Sequence, residues 1–414
     1  MATVVHAIAL LAMLAGAAYL ATLAYAAVRR QARMADLHEA ERAVFAARLA
    51  QVGAPLARLA TAQGPAWSGF RKFRVEGKVL EADSVCSFYL APHDGRPLPP
   101  FFPGQYLTFR LSVPGQAREV TRCYSLSDSP DHPDYYRVTI KRVPGPGGAP
   151  GVASSHFHDR VMVGDILDVK APAGQFCLDV EHRGPVVLIG GGIGLTPVLS
   201  MLGHIAATGG REAWLFYGVR NGKEHVMQAH LRELAQQHQN LRVVVCYSDP
   251  LPEDRQGEDY DHAERVSVDL MKRVLQVSNF DFYVCGPPPM METITRDLGA
   301  WGVPEGRIHY EAFGPATVKK VGAATPAPDT AGVKVTFARS NKTLVWSGAG
   351  SLLEFAEANG IQIDSGCRAG NCGTCATAVR EGSIEYLGTP GTEVEKGSCL
   401  ACIAAPKTAL TLDA

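Results

Sequence analysis

The sequence lacks an excess of either charge. Its 40 lysines and arginines meet 41 aspartates and glutamates, a formal net charge of −1 at pH 7. Without a basic surplus there is no electrostatic footprint for a phosphodiester backbone, so no nucleic-acid partner is expected. An evenly spread cysteine framework is also missing, which argues against a disulfide-stapled secreted domain. Cys86, Cys123, Cys177 and Cys246 stand in apolar or strand-like contexts that suit small buried hydrophobes. The stretch Ala2 to Val28 has no Asp, Glu, Lys or Arg. It is long enough to cross a bilayer core of about 30 Å as a helix. A cleaved signal peptide is the competing reading, but it wants a basic segment ahead of the apolar run and none is there. The positive charges come afterwards, at Arg29, Arg30 and Arg33. Under the positive-inside rule the expectation is a single-pass helix over residues 1–28 in the inner (cytoplasmic) membrane. The bilayer is then a partner, the N-terminus lies outside and the bulk of the chain is cytoplasmic. A rough helical stripe from Met34 to Leu49 predicts a juxtamembrane helical stalk over 29–68.

What is present is concentrated in a few stretches. At 414 residues the chain exceeds what one core ordinarily serves, so two or three domains are expected. Near the C-terminus, Cys367, Cys372 and Cys375 form C-x4-C-x2-C, answered by a distant Cys402. Three thiolates from one tight loop and a fourth from elsewhere suit a [2Fe–2S] cluster. Gly366, Gly370 and Gly373 let backbone approach the sulfides, with N–H groups facing a net negative charge. Zinc is the competing reading, because Cys399 and Cys402 make a second C-x2-C.

Residues 69–182 read as β-rich. Pro103-Gly104-Gln105-Tyr106 leads into one strand, and Arg122-Cys123-Tyr124-Ser125 forms another. Alternation puts Arg122 and Tyr124 on one face. An arginine fork suits a phosphate, a tyrosine ring suits stacking on an isoalloxazine, and the Ser125 hydroxyl can reach a ring nitrogen. Further on, Gly151 and Ser154 lie where a glycine-rich loop starts a helix and offers backbone donors to a pyrophosphate. Alone, R-x-Y-S also describes an ordinary strand with a surface arginine.

Residues 183–316 read as α/β. The apolar run Pro185 to Ile189 suits a strand covered on both faces. Gly190, Gly191, Gly192, Gly194, Leu195, Thr196 and Pro197 then make a glycine-rich turn into a helix. Such a turn lets a nucleotide pyrophosphate approach amides at the helix start, although it lacks the G-x-G-x-x-G fingerprint. Another strand ends in Cys285-Gly286-Pro287. Strands alternating with helices predict a parallel sheet with ligands at the carboxyl ends. Residues 317–332, with Lys319, Lys320, Pro326 and Pro328, read as a linker, and 333–414 as the cluster domain.

On these motifs the stretch from about Phe70 to Pro315 resembles the ferredoxin–NADP reductase superfamily, particularly the reductase half of flavohaemoglobins. The segment from Val333 onward resembles the β-grasp of plant-type ferredoxins. The fold implied is multidomain: an N-terminal transmembrane helix, an antiparallel β-barrel for flavin, an α/β parallel-sheet nucleotide domain and a β-grasp ferredoxin domain. The resemblance implies Tyr106, Arg122, Tyr124, Ser125, Gly151, Ser154 and Phe313 at the flavin. It implies Gly191, Gly192, Gly194, Leu195, Thr196, Pro197, Gly286 and Pro287 at NAD(P), with Cys285 beside the nicotinamide. Ser125 and Cys285 are the expected catalytic residues. The closing segment around Leu400 to Pro406 resembles that of ferredoxins, which implies Cys402 rather than Cys399 as fourth ligand beside Cys367, Cys372 and Cys375.

The order flavin, nucleotide, ferredoxin is that of oxygenase reductases similar to phthalate dioxygenase reductase. It implies electron flow from NADH or NADPH to flavin, to the cluster, and to a terminal oxygenase, hydroxylase or desaturase. FAD is favoured by the flavohaemoglobin likeness, although the phthalate-type architecture can use FMN. The alternative is electron input to quinone or a respiratory chain, as in the flavin subunit of the sodium-pumping NADH:quinone reductase, where the ferredoxin module precedes the barrel. Intrinsic nitric oxide dioxygenase activity is not expected, since no globin domain precedes the reductase part.

Overall fold

The computed structural model describes residues 67, 69–313 and 332–414, except 117–118, 133, 146–149, 349, 369, 371, 388–389 and 391–393. The linker over 317–332 lies outside them save for Gly332, and the stalk save for Trp67. The expectation of a single-pass inner-membrane protein with an outer N-terminus is corrected here. No helix among the described residues is long and apolar enough to cross a membrane. The longest of them has 14 residues, about 21 Å at 1.5 Å per residue, short of a core of about 30 Å. The apolar run on which that expectation rested lies outside the described residues.

The first body is an antiparallel sheet of six strands: β1 (Phe70–Ala82), β2 (Val85–Pro92), β3 (Tyr106–Leu111), β4 (Val120–Ser125), β5 (Tyr136–Lys141) and β6 (Ile166–Ala173). Their order is β4-β3-β6-β1-β2-β5. A bridge from Leu126, just past β4, to Val138 of β5 brings the two edges together and closes a barrel. Closure leaves no free edge, and the interior fills with Phe73, Phe88, Leu107, Phe109 and Val138. Helix α1 (Val152–Asp159) covers one mouth, with Phe157 packed edge-on against Phe88, Phe109 and Tyr124.

The second body is a parallel sheet of β7 (Val186–Gly191), β8 (Ala213–Val219), β9 (Leu241–Tyr247), β10 (Asp281–Gly286) and β11 (Ile308–Ala312), in the order β11-β10-β7-β8-β9. Helices α2 (Leu195–Thr208), α3 (Gln228–Gln237), α4 (Val268–Leu275) and α5 (Pro288–Ala300) alternate with the strands. Separate apolar clusters lie on the two faces of the sheet, which is why β7 and β10 are buried along their whole length. The chain leaves β7 towards β8 on one side and returns to β10 on the other. The carboxyl ends of β7 and β10 therefore flank a topological switch point, the crevice where such sheets bind ligands.

Barrel and parallel sheet are tied directly. Ser200 Oγ on α2 donates to the Asp128 carbonyl at 2.7 Å, and His204 Nδ1 lies 2.9 Å from Asp131 Oδ2. Arg137 and Asp128 form an ion pair of 3.2 Å, both side chains nearly buried, that braces the barrel side of this junction.

The third body is a mixed sheet in the order β13-β12-β18-β14-β16, joined by a two-stranded β15-β17. Its strands are β12 (Lys334–Phe337), β13 (Lys342–Val345), β14 (Ala376–Glu381), β15 (Ile384–Tyr386), β16 (Ser398–Leu400), β17 (Ala404–Pro406) and β18 (Leu410–Leu412). Helix α6 (Leu352–Ala358) packs on it. A reciprocal capping box of Ser351 and Glu354 satisfies the first amides of α6.

Candidate functional site

On β4 and β3, Tyr106 stands directly opposite Ser125, Thr108 opposite Cys123 and Phe109 opposite Arg122. Opposed residues share a face, so Arg122 and Tyr124 point one way and Tyr106, Cys123 and Ser125 the other. Tyr124 lies edge-on to Phe157 and tilted against Phe109. Among the described residues Arg122 enters no ion pair. Its Nη1 donates to the Thr121 carbonyl at 2.7 Å, and burial lowers its pKa. The Tyr106 hydroxyl is buried without a hydrogen-bond partner, and burial pushes its pKa far up. Ser154, one turn into α1, is buried. Its hydroxyl accepts from the Val143 amide at 3.2 Å and ties the loop before α1 into place. No side chain caps α1, which begins after an extended Gly151. Phe313 follows β11 and is partly exposed.

At the switch point the glycine-rich turn and the Cys285-Gly286-Pro287 segment lie against each other. A Cβ on Gly194 would fall 2.3 Å from the Cys285 carbonyl oxygen, and one on Gly191 would fall 2.8 Å from Pro287 Cδ. Those two positions require glycine for protein packing. Gly192 differs: its φ is +53° and nothing lies within 4 Å of its added Cβ. Leu195, Thr196 and Pro197 are buried at the start of α2, and the Thr196 hydroxyl donates to the Ile193 carbonyl at 3.0 Å.

Cys285 is wholly buried, and that burial raises its thiol pKa well above the ordinary value, with Glu311 adding to the effect. Glu311 is the neighbour in register on β11. It is a buried carboxyl whose pKa is pushed up to about 8 by desolvation, and its Oε2 has no hydrogen-bond partner. Sequence reasoning passed over Glu311 in favour of the aromatic two residues on. The available signal was an acid at the carboxyl end of a parallel strand, the position where such sheets place ligands.

The cluster-type cysteines converge in two pairs. The Cys367 amide donates to Cys372 Sγ at 3.2 Å and the Cys372 amide to Cys367 Sγ at 3.3 Å. Cys375 Sγ and Cys402 Sγ are 3.0 Å apart. Hydrogen bonds from Cys123 and then Cys367 lower the Cys372 pKa, and the bond with Cys402 lowers that of Cys375. Among the described residues no three His, Cys, Asp or Glu side chains gather as for a single metal ion. Two thiol pairs are what two irons need. Cys399 lies in β16, paired with Thr377 of β14, and burial raises its pKa to about 12. Gly370, with φ +77°, carries the loop past Ile403, next to Cys402.

Cys123 is half-buried rather than a core residue, and the neighbouring Cys367 and Cys372, with burial, raise its pKa well above the ordinary value. A Cβ on Gly366 would lie 3.3 Å from Thr121 Cγ2. The cysteine loop thus rests on β4, the strand that carries Arg122 and Tyr124.

The residues present fit a bound flavin and cluster: a buried tyrosine hydroxyl and a buried carboxyl lack partners, and four thiols stand in two pairs. Three family models match the chain. They are an oxidoreductase FAD-binding domain over 81–177, an oxidoreductase NAD-binding domain over 188–296 and a 2Fe-2S iron-sulfur cluster binding domain over 335–407. A flavohemoprotein of Halalkalibacterium halodurans is 41% identical over 252 residues, which are 60% of this chain and 61% of that protein. One from Rhizobium meliloti is 42% identical over 249 residues, 60% and 62% of the two chains. This chain therefore spans about three fifths of the curated relatives it matches. The flavohemoglobin-like FAD/NAD-binding domain of nitric oxide dioxygenase from Vibrio cholerae superposes with TM-score 0.53 at 34% identity, over 60% of this chain and all of that one. Phthalate dioxygenase reductase, described as a modular structure for electron transfer from pyridine nucleotides to [2Fe-2S], gives TM-score 0.53 at 28% identity over 84% of this chain and 98% of its own. The chain thus carries a flavohemoprotein-like reductase module, made of FAD-binding and NAD-binding oxidoreductase domains, joined to a C-terminal 2Fe-2S iron-sulfur cluster binding domain.

Proposed function

We propose that this protein is an NAD(P)H-dependent reductase that passes electrons through flavin and a [2Fe–2S] cluster to a terminal oxygenase, hydroxylase or desaturase. When bound, the flavin accepts a hydride's two electrons and gives them up one at a time. The observation that carries the reading is the seating of the Cys367–Cys372 loop on β4, beside Arg122 and Tyr124. Arg122 and Tyr124 of β4 would hold the flavin, and the cysteine loop rests on that same strand.

In this reading Arg122, unpaired by any carboxylate among the described residues, holds a flavin phosphate together with amides at the start of α1 beyond Gly151. Tyr124 stacks on the ring, Ser125 and Tyr106 meet its polar edge, and Phe313 shields it. Gly192 leaves room for the nucleotide at the head of α2, while Gly191, Gly194, Leu195, Thr196 and Pro197 hold the shape of that turn. Cys285, Gly286 and Pro287 line the nicotinamide position. Cys367, Cys372, Cys375 and Cys402 hold the cluster. The oxygenase-type acceptor is favoured by the module order shared with phthalate dioxygenase reductase.

The test is anaerobic addition of NADH or NADPH to purified protein. Rapid bleaching of flavin absorbance, followed by the EPR signal of a reduced [2Fe–2S] cluster, is expected. No bleaching with either nucleotide refutes the reading.

A further inference from the structure

The chain leaves β4, the strand of Arg122, Tyr124 and Ser125, into a loop that ends where β5 begins. The Asp128 carboxylate stiffens this loop. Its Oδ1 accepts the Ser129 amide at 2.9 Å, its Oδ2 accepts the Tyr135 hydroxyl at 2.8 Å, and Arg137 pairs with it. Ser129 Oγ donates to Asp131 Oδ2 at 2.6 Å. One face of α2 rests on the loop. Ser200, wholly buried, donates its hydroxyl to the Asp128 carbonyl at 2.7 Å. Gly203 lies so close that an added Cβ would fall 3.3 Å from Ser129 Cβ. His204 Nδ1 is 2.9 Å from Asp131 Oδ2. Positions 200, 203 and 204 are an i, i+3, i+4 set, which share one face of a helix.

That face continues to the head of α2. Thr196 stands four residues before Ser200 on the same side, a rise of about 6 Å. The turn that opens α2 is packed in its turn against the Cys285-Gly286 segment, through Gly194 and the Cys285 carbonyl. A slide of α2 against the loop therefore carries the glycine-rich turn and the nicotinamide crevice with it, while β4 stays with the barrel. Transfer between two bound groups is steeply sensitive to their separation, and a misplacement of about 1 Å set far from the chemistry can cost roughly 100-fold.

We infer that Ser200 is a positioning residue for hydride transfer: its hydrogen bond to the Asp128 carbonyl, seconded by His204 at Asp131, sets how far the nicotinamide crevice at the head of α2 stands from the flavin strand β4. The inference rests on the nucleotide-to-flavin reading above. In the step concerned a C–H bond of the reduced nicotinamide breaks, and its hydride, one proton with two electrons, passes to the oxidised flavin. The nicotinamide is oxidised by two electrons and the flavin reduced by two. Ser200 exchanges no proton and acts only through α2. A serine that merely satisfied a buried carbonyl would change stability and leave the transfer rate alone.

The experiment compares full-length holoprotein carrying Ser200→Ala with the unmodified chain. Flavin bleaching is followed by anaerobic stopped flow at saturating NADH or NADPH, with hydrogen and then deuterium at the transferred position. The Kd of flavin is read by fluorescence titration and that of oxidised NAD+ or NADP+ by calorimetry. If the unmodified protein does not bleach, the underlying reading fails and takes this inference with it. Given bleaching, Ser200→Ala is expected to lower the limiting rate at least about fivefold, the equivalent of one net hydrogen bond of about 1 kcal/mol. The deuterium effect should persist in the variant, and both Kd values should be unchanged. A lower melting temperature with an intact limiting rate makes Ser200 a purely structural contact and overturns the inference. So does a slower rate that weaker flavin or nucleotide binding accounts for. Where Ser200→Ala does not fold, His204→Ala removes the half-buried contact on the same face of α2. A lower limiting rate at unchanged Kd then supports the inference, and an unchanged rate overturns it.

Discussion

Cys285 and Glu311 lie side by side in register on parallel strands β10 and β11, both buried at the carboxyl end of the sheet. The pair joins a thiol held protonated by burial to a carboxyl whose pKa is pushed up to about 8. A carboxyl raised by desolvation keeps its proton in the folded state after the unfolded chain has released it.

The sign of the pH effect follows. Between the ordinary carboxyl value of 4.5 and about 8, the folded protein binds more protons than the unfolded chain at Glu311. Stability at this residue therefore declines as pH rises through that window. The expected outcome is that Glu311→Gln melts close to the unmodified protein at pH 5 and clearly higher at pH 9. The gap should grow by on the order of 1.4 kcal/mol per pH unit at most. Parallel melting curves at both pH values would remove Glu311 as the source.

Arg122→Ala should weaken flavin retention. The guanidinium enters no ion pair among the described residues, and its one hydrogen bond goes to its neighbour's carbonyl. A charge-assisted contact of about 1.5–3 kcal/mol predicts a roughly 10- to 100-fold higher flavin Kd. Fluorescence titration of flavin-stripped protein measures this, and an unchanged Kd would dissociate Arg122 from the phosphate.

Cys402 and Cys399 separate cleanly by mutation. Cys402→Ser should abolish the cluster's EPR signal, because it removes the partner of Cys375. Cys399→Ser should retain two irons per chain, as the cluster assignment requires. It should cost about 1–3 kcal/mol for a hydroxyl buried in β16. Iron analysis and thermal melts on both variants decide, and loss of iron only in Cys399→Ser would reverse the assignment.

Two glycines of one turn should respond differently. Gly194→Ala drives a methyl to 2.3 Å from the Cys285 carbonyl, so a loss of about 1–3 kcal/mol or more in stability is expected. Gly192→Ala meets no atom, although its φ of +53° adds about 1–2 kcal/mol of backbone strain. Its larger effect should be a raised KM for NAD(P)H. Melting temperature and KM measured together check the contrast, and equal KM effects at both positions would contradict it.

The sequence by itself determined what depends on spacing and alternation. The R-C-Y-S strand, the apolar strand into its glycine turn and the C-x4-C-x2-C loop were legible because each is complete within a few residues. So was the module order, since local periodicity encodes strand, turn and helix directly. Hydropathy read a membrane span from residues 2–28, and no described helix has the length or apolarity for one. Tertiary structure alone decided what joins residues far apart in the chain. It set Glu311 beside Cys285, packed Gly194 against the Cys285 carbonyl and sorted four cysteines into two pairs. It also turned Cys123 from a presumed core filler into a neighbour of Cys367 and Cys372. The physical reason is that alternation along β4 states which side of a strand a residue faces, while only the folding of the third domain onto that strand determines what it meets there.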